Sequence, residues 1–276
     1  MVKINGQDFG HEYFPNHEAV YKKVNLNEDE NTITMKFENN GDIATVFMAA
    51  AYIRNNVANG KLILDMPYIP YSAMDRKIND QLFSLELFGQ IINSLNFDAV
   101  NVMDPHNKDV TIKCINNIYF TDINGYIHKV IGDFKPDVIF FPDKGAMAKY
   151  PKELDLRGLP IIHGKKSRAL EDKGRLLTME VIHDDVDVEG KRVLIIDDIC
   201  RKGGTFILGA SELKKLGVGE IALYVSHCEA CIFDGHVLDE DSPISRVYTN
   251  DSEPEILKAR NYDVENYKKF KKVTLL

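Results

Sequence analysis

Short unbroken apolar runs alternate with amphipathic stretches of helical length along most of this chain. Lys61-Leu62-Ile63-Leu64, Val100-Asn101-Val102-Met103, Val138-Ile139-Phe140-Phe141, Val193-Leu194-Ile195-Ile196 and Ile221-Ala222-Leu223-Tyr224-Val225 are each bounded by turn formers or charges. Several are β-branched, and all read as buried strands. Between them, Ile43 to Asn55, Asp80 to Leu95 and Gly204 to Leu216 have the length and patterning of helices that bury one face. Strand–helix alternation of this kind predicts an α/β fold, with mainly parallel sheets flanked by helices. There are more strands than one small sheet needs. The turn-rich stretch Asn117 to Gly125 therefore suggests a division into residues 1–120 and 121–276.

Composition narrows the class. With 44% apolar and 28% charged residues the 276-residue chain is globular rather than disordered. Its 42 acidic residues outnumber 34 basic ones, giving a formal charge of −8. That sign argues against a nucleic-acid binder working by phosphate neutralisation, so any phosphate binding must be local. The longest apolar stretch, Thr45 to Ile53, is too short to cross a bilayer, and the N-terminus carries no apolar secretory core. Four cysteines make no disulfide framework. A cytoplasmic protein with no membrane partner is the expectation.

The sharpest chemistry lies in Val193 to Thr205. An apolar strand runs into Asp197 and Asp198, then a loop with Arg201, Lys202, Gly203, Gly204 and Thr205, then an amphipathic helix. The glycines allow positive φ and close backbone approach to a ligand. The N–H groups opening the helix form an anion site. Two carboxylates at the strand's carboxyl end are placed to accept hydrogen bonds from sugar hydroxyls, directly or through a divalent cation. A solvated turn is the bland alternative. Cys228-Glu229-Ala230-Cys231, between His227 and His236, invites a zinc reading, but adjacent ligands at 227 and 228 are awkward and no second cysteine pair exists. Partly buried free thiols are the simpler reading.

The Asp197–Thr205 loop resembles the phosphoribosyl-diphosphate (PRPP) loop shared by type I phosphoribosyltransferases and ribose-phosphate diphosphokinases. Further segments resemble the diphosphokinases in order along the chain: Phe14-Pro15-Asn16-His17-Glu18, Pro67-Tyr68-Ile69-Pro70-Tyr71-Ser72-Ala73-Met74-Asp75-Arg76-Lys77, Asp104-Pro105-His106, Pro142-Asp143-Lys144-Gly145 and Lys165-Lys166-Ser167-Arg168. The resemblance implies two Rossmann-like domains of the type I phosphoribosyltransferase kind. The N-terminal one would be the ATP side, and the C-terminal one would carry the catalytic and ribose-phosphate loops. It further implies a Mg2+-dependent transfer of the β,γ-diphosphoryl group of ATP to the anomeric hydroxyl of a 5-phosphorylated ribose, with AMP released.

By the same resemblance, Lys166 and Arg168 are catalytic on a mobile loop. Phe14, Asn16, Glu18, Asp75, Arg76 and His106 bind ATP, and His106 and Asp143 serve the metal. Asp197, Asp198 and residues 201–205 hold the acceptor. The Phe14 element would reach the nucleotide from a neighbouring subunit, so a homo-oligomer, at least a dimer, is implied. Taken singly, His106 could be an ordinary loop histidine, Asp143 a helix cap, and Lys165 to Arg168 a solvated basic loop.

Three departures from the family pattern stand out. Ala73 and Met74 replace an Arg-Gln pair, Arg201 and Lys202 replace Asp-Thr, and the family's first strand–helix unit has no counterpart before Phe14. The added cations at 201 and 202 suit an acceptor carrying a diphosphate, such as ADP-ribose, as an alternative to ribose 5-phosphate. A PRPP-consuming phosphoribosyltransferase and a non-catalytic diphosphokinase-like regulator are the readings from other classes.

Overall fold

The computed structural model describes residues 1–10, 12–171, 174–262 and 264–276, with backbone alone for 168–171 and 174–177. The chain forms two compact units, Met1–Asp122 with Ser252–Pro254, and Ile123–Asp251 with Glu255–Leu276. Each is built on its own mainly parallel sheet, the α/β class that the alternation predicts.

In the first unit the strands are β1 (Val2–Ile4), β2 (Gln7–Asp8), β3 (Glu12–Tyr13), β4 (Ala19–Val20), β5 (Glu30–Met35), β6 (Lys61–Met66), β7 (Ala99–Met103) and β8 (Ile118–Thr121). Three helices intervene: α1 (Asn40–Asn56), α2 (Ser84–Ser94) and α3 (Lys108–Cys114). The sheet order is β2-β1-β5-β6-β7-β8, parallel from β5 to β8, while β3 and β4 form a separate hairpin. Buried positions alternate along β5 and β6, as they do when one sheet face carries the core. Ile33, Met35, Leu62, Leu64, Met66, Val100 and Val102 meet Val46, Ala49 and Ile53 of α1 and Leu85, Phe88 and Ile92 of α2 there. Helix α1 begins three residues earlier than its apolar pattern because Asn39 and Asp42 form a capping box. Helix α2 begins four residues later than its pattern. Asn79 is left-handed at φ 51° and Gln81 donates to the Ile78 carbonyl, a turn that breaks the helix.

The second unit contains α4 (Asn124–Phe134), β9 (Val138–Phe141), α5 (Lys144–Glu153), β10 (Ile161–Glu171), β11 (Gly174–Ile182), β12 (Arg192–Cys200), α6 (Gly204–Lys215), β13 (Glu220–Cys228), β14 (Arg246–Thr249), α7 (Glu255–Ala259), α8 (Val264–Lys269) and β15 (Val273–Leu275). Its sheet runs β11-β10-β9-β12-β13-β14-β15, with β11 alone antiparallel among the described strands. Strand β9 is buried at every position and β13 nearly so, which is why both read as continuous apolar runs. After β9 the chain goes to β10 on one side and returns to β12 on the other. The strand order thus reverses between β9 and β12, and the crevice at their carboxyl ends is where open α/β sheets bind ligands.

Two expectations need correction. Residues 165–168 are not in a loop: they lie in β10, paired with β11 over nine residues. Asp197 and Asp198 do not follow the strand, because β12 continues to Cys200 and Asp197 is in register with Val225. A run of four apolar residues ended the sequence pattern early, whereas pairing with β13 carries the backbone on through the acids.

Candidate active site

Most of the candidate residues lie at or near the carboxyl ends of parallel strands. Asp143 follows β9 and caps α5, its Oδ1 accepting from the Ala146 N–H at 3.0 Å. Its Oδ2 accepts from Lys166 Nζ at 2.8 Å. Lys166 reaches it because strand alternation turns 165 and 166 to opposite faces. Lys165 pairs with Glu180 on the exposed face, while Lys166 lies opposite the buried Met179. Burial pushes the Asp143 carboxyl up, but hydrogen bonds from Lys166 and the Ala146 N–H outweigh it, and the net direction is down. The side chain of Arg168 lies outside the described residues.

Asp197 and Asp198 sit beside this pair in β12. Asp198 is buried, and its N–H donates to Asp197 Oδ1 at 3.0 Å. Burial, then the charges of Asp198 and Asp143, hold the Asp197 carboxyl well above the usual range. Three carboxylates therefore share one region, and Lys166 is hydrogen-bonded to one of them. A group that takes up protons on folding favours the fold most at low pH, and that contribution is lost as pH rises through its raised pKa. Asp197→Asn removes this penalty. It should raise the melting temperature at pH 7 by roughly 2–4 °C, and the gain should vanish near pH 3. Thermal denaturation at the two pH values checks it.

The glycine loop 201–205 follows directly. Gly203 is the N-cap of α6 at φ 75°, a left-handed conformation, and no side chain caps the helix start. The opening N–H groups are thus left for an anion. An added Cβ on Gly203 would come within 2.1 Å of Val237 Cγ2, so steric closeness and conformation both require glycine. Arg201 and Lys202 are exposed, and Arg201 Nε donates to Glu229 Oε1 at 2.9 Å.

In the first unit, Pro67–Lys77 follows β6 and the 104–107 loop follows β7. Ser72 Oγ accepts from the His106 N–H at 2.8 Å. Buried Asp75 accepts from Arg76 Nε at 2.8 Å and from Asn107 Nδ2 at 3.1 Å. In this geometry Asp75 holds Arg76 and ties the two loops together, while Arg76 and His106 are exposed. Phe14, Asn16 and Glu18 form the exposed tip of the β3–β4 hairpin, closed by the Phe14 N–H donating to the Glu18 carbonyl and the Glu18 N–H donating to Asn16 Oδ1.

Residues 114–241 match the phosphoribosyl transferase domain family. Among curated proteins, the ribose-phosphate pyrophosphokinase of Pyrococcus abyssi is 33% identical over 172 residues, covering 60% of this chain and 57% of that protein. The same-named protein of Thermococcus kodakarensis is 29% identical over 221 residues, covering 78% and 75%. The matched region thus spans less than two thirds of the Pyrococcus protein. The crystal structure of phosphoribosylpyrophosphate synthetase from Mycobacterium smegmatis superposes with a TM-score of 0.71 at 17% identity, over 96% of this chain and 84% of that one. The chain is thus similar to ribose-phosphate pyrophosphokinases in sequence and shares the fold of a phosphoribosylpyrophosphate synthetase.

The likeness to pyrophosphokinases raises the matter of magnesium. Among the described residues no three His, Cys, Asp or Glu side chains converge as a metal cage. Asp143 offers carboxylate oxygen of the right hardness, and such a site suits an ion held mainly by substrate phosphates and water through one carboxylate. Asp143 would hold it; His106, which the resemblance also assigns to the metal, is exposed in the other unit. Cys114, Cys200 and Cys228 are buried thiols and Cys231 is half-buried, its thiol pushed up to about 11 by burial and Glu229.

Sequence reasoning missed three residues of this arrangement. Asn107 carried a legible signal, an asparagine one residue before a helical run, and it does cap α3. Ser72 and Glu229 carried none, since their partners are 34 and 28 residues away.

Proposed function

We propose that the chain transfers the β,γ-diphosphoryl group of ATP to the anomeric hydroxyl of a 5-phosphorylated ribose, releasing AMP. The observation that supports it is the grouping, at the point of strand-order reversal, of the Lys166–Asp143 pair, Asp197, Asp198 and the uncapped start of α6. Attack on the β-phosphorus is in line, so catalysis is mostly positioning and charge stabilisation. Asp197 and Asp198 accept hydrogen bonds from the ribose hydroxyls. The N–H groups of 203–205 hold the 5-phosphate. Lys166, released from Asp143, places its ammonium on the oxygens of the transferred group, and Arg168 acts with it. Magnesium, when bound, neutralises phosphate charge and favours the in-line arrangement. Phe14, Asn16, Glu18, Arg76 and His106 form the nucleotide site, with the exposed hairpin tip acting across a subunit boundary in at least a dimer.

Ribose 5-phosphate is the acceptor that the relatives' names suggest. The exposed Arg201 and Lys202 favour ADP-ribose as a second acceptor, whose product would be an activated donor for nicotinamide attachment. The test is AMP release from ATP and magnesium with each sugar offered separately at equal concentration. AMP formed with one sugar alone supports the diphosphokinase reading and names the acceptor. No AMP with either sugar overturns it and favours a transferase or a non-catalytic regulator.

A further inference from the structure

Arg201 and Lys202 do not stand alone at the mouth of the acceptor loop. Strands β12 and β13 end side by side, with Cys200 in register with Cys228, and the Glu229 N–H donates to the Cys200 carbonyl at 2.9 Å. Residues 201 and 229 therefore leave the sheet as neighbours. The Arg201 Nε–Glu229 Oε1 contact at 2.9 Å follows, with 56% of the arginine side chain and 29% of the glutamate exposed. Cys231 Sγ lies 3.5 Å from the other carboxylate oxygen. The segment after Glu229 forms the back wall of the loop. Gly235 comes so near that a Cβ on it would fall 2.0 Å from the Lys202 carbonyl oxygen, and Val237 packs against Gly203. Glu229 thus opens the segment that packs against the loop.

We propose that Glu229 is a specificity-determining residue that sets how many phosphoryl groups the 200–205 loop prefers. It holds Arg201 when the bound anion ends at one phosphoryl group and yields it when a second is present. The inference rests on the reading of residues 203–205 as the acceptor-phosphate site. A single phosphoryl group on the α6 N–H groups leaves the exposed ion pair in place. A second group, one P–O–P link further out, competes for the guanidinium, and a phosphate matches the arginine fork better than a lone carboxylate does. An exposed pair is weak enough to be exchanged. Charge at 229 therefore weighs on the second phosphoryl group far more than on the first.

The test is calorimetric titration of the full chain with inorganic phosphate and with inorganic pyrophosphate, at fixed ionic strength in chelator-containing buffer. Glu229→Gln should tighten pyrophosphate binding by about three- to tenfold, with phosphate changed less than twofold. In an Arg201→Ala background the same Glu229→Gln change should leave the pyrophosphate-to-phosphate ratio within about twofold, since the group it controls is gone. An unchanged ratio in Glu229→Gln alone, in protein that melts like wild type, overturns the proposal. So does an equal shift with and without Arg201, which would mark a general packing effect. If wild type binds neither anion, the acceptor-site reading itself has failed.

Discussion

Lys166→Ala should lower the turnover number for AMP release by about 10²–10⁴-fold, with little change in the acceptor KM. The lysine is the described cation hydrogen-bonded within the carboxylate cluster, 2.8 Å from Asp143, on the inward face of β10. In the proposed mechanism its charge acts where negative charge spreads during transfer, so kcat should bear the loss. The same substitution has a signature independent of catalysis. Asp143 has a lowered pKa, so its contribution to stability is present above the ordinary carboxylate value and lost as pH falls through the folded value. Without Lys166 that acid-side dependence should flatten below about pH 4. Steady-state kinetics and acid denaturation read the two effects separately, and turnover within twofold of wild type would remove Lys166 from the mechanism.

Gly203→Ala and Gly204→Ala should have opposite consequences although the residues are adjacent. Alanine at 203 must adopt φ near 75° and place its methyl 2.1 Å from Val237 Cγ2, so the loop or the 230–238 wall has to shift. A loss of about 2–4 kcal/mol is expected from strain and overpacking together, along with loss of phosphate binding. At 204 the φ is not positive and no atom lies within 4 Å of an added Cβ. There alanine should be neutral or stabilising by up to about 1 kcal/mol through lower unfolded-state entropy. Denaturant titration of both variants, compared with phosphate binding, checks the contrast. Equal behaviour would mean that the wall does not brace the loop.

The apolar runs at 61–64, 100–103, 138–141, 193–196 and 221–225 all lie in strands because a strand buried on its faces leaves a local record in composition. The β3–β4 hairpin, β8 and the β10–β11 arm left little such record: they are short, exposed or charged, and pairing partners alone make them strands. The same division holds in the site. Gly203 and Gly204 were legible because two glycines between an apolar strand and a helix mark a turn of close backbone approach, and Asp197 and Asp198 were legible as a pair of acids although β12 carries them. That Asp143 and Lys166 are partners was not, since 23 residues separate them and only the parallel pairing of β9 with β10 closes that gap.

The depth of Asp197 in the sheet, and hence the raised affinity of its carboxyl for a proton, depends on β12 continuing to Cys200 beside β13. The charge at the mouth of the loop shows the limit most clearly. By itself the sequence determined the alternating elements, the glycine turn that opens a helix and the two basic residues at 201 and 202. The tertiary structure decided that one of those cations is held by Glu229, because two strands 28 residues apart in sequence end in register and deliver a carboxylate where only a basic pair had been legible. Residue type and local spacing are written along the chain, but electrostatic coupling depends on distance in space, and that is set by strand pairing.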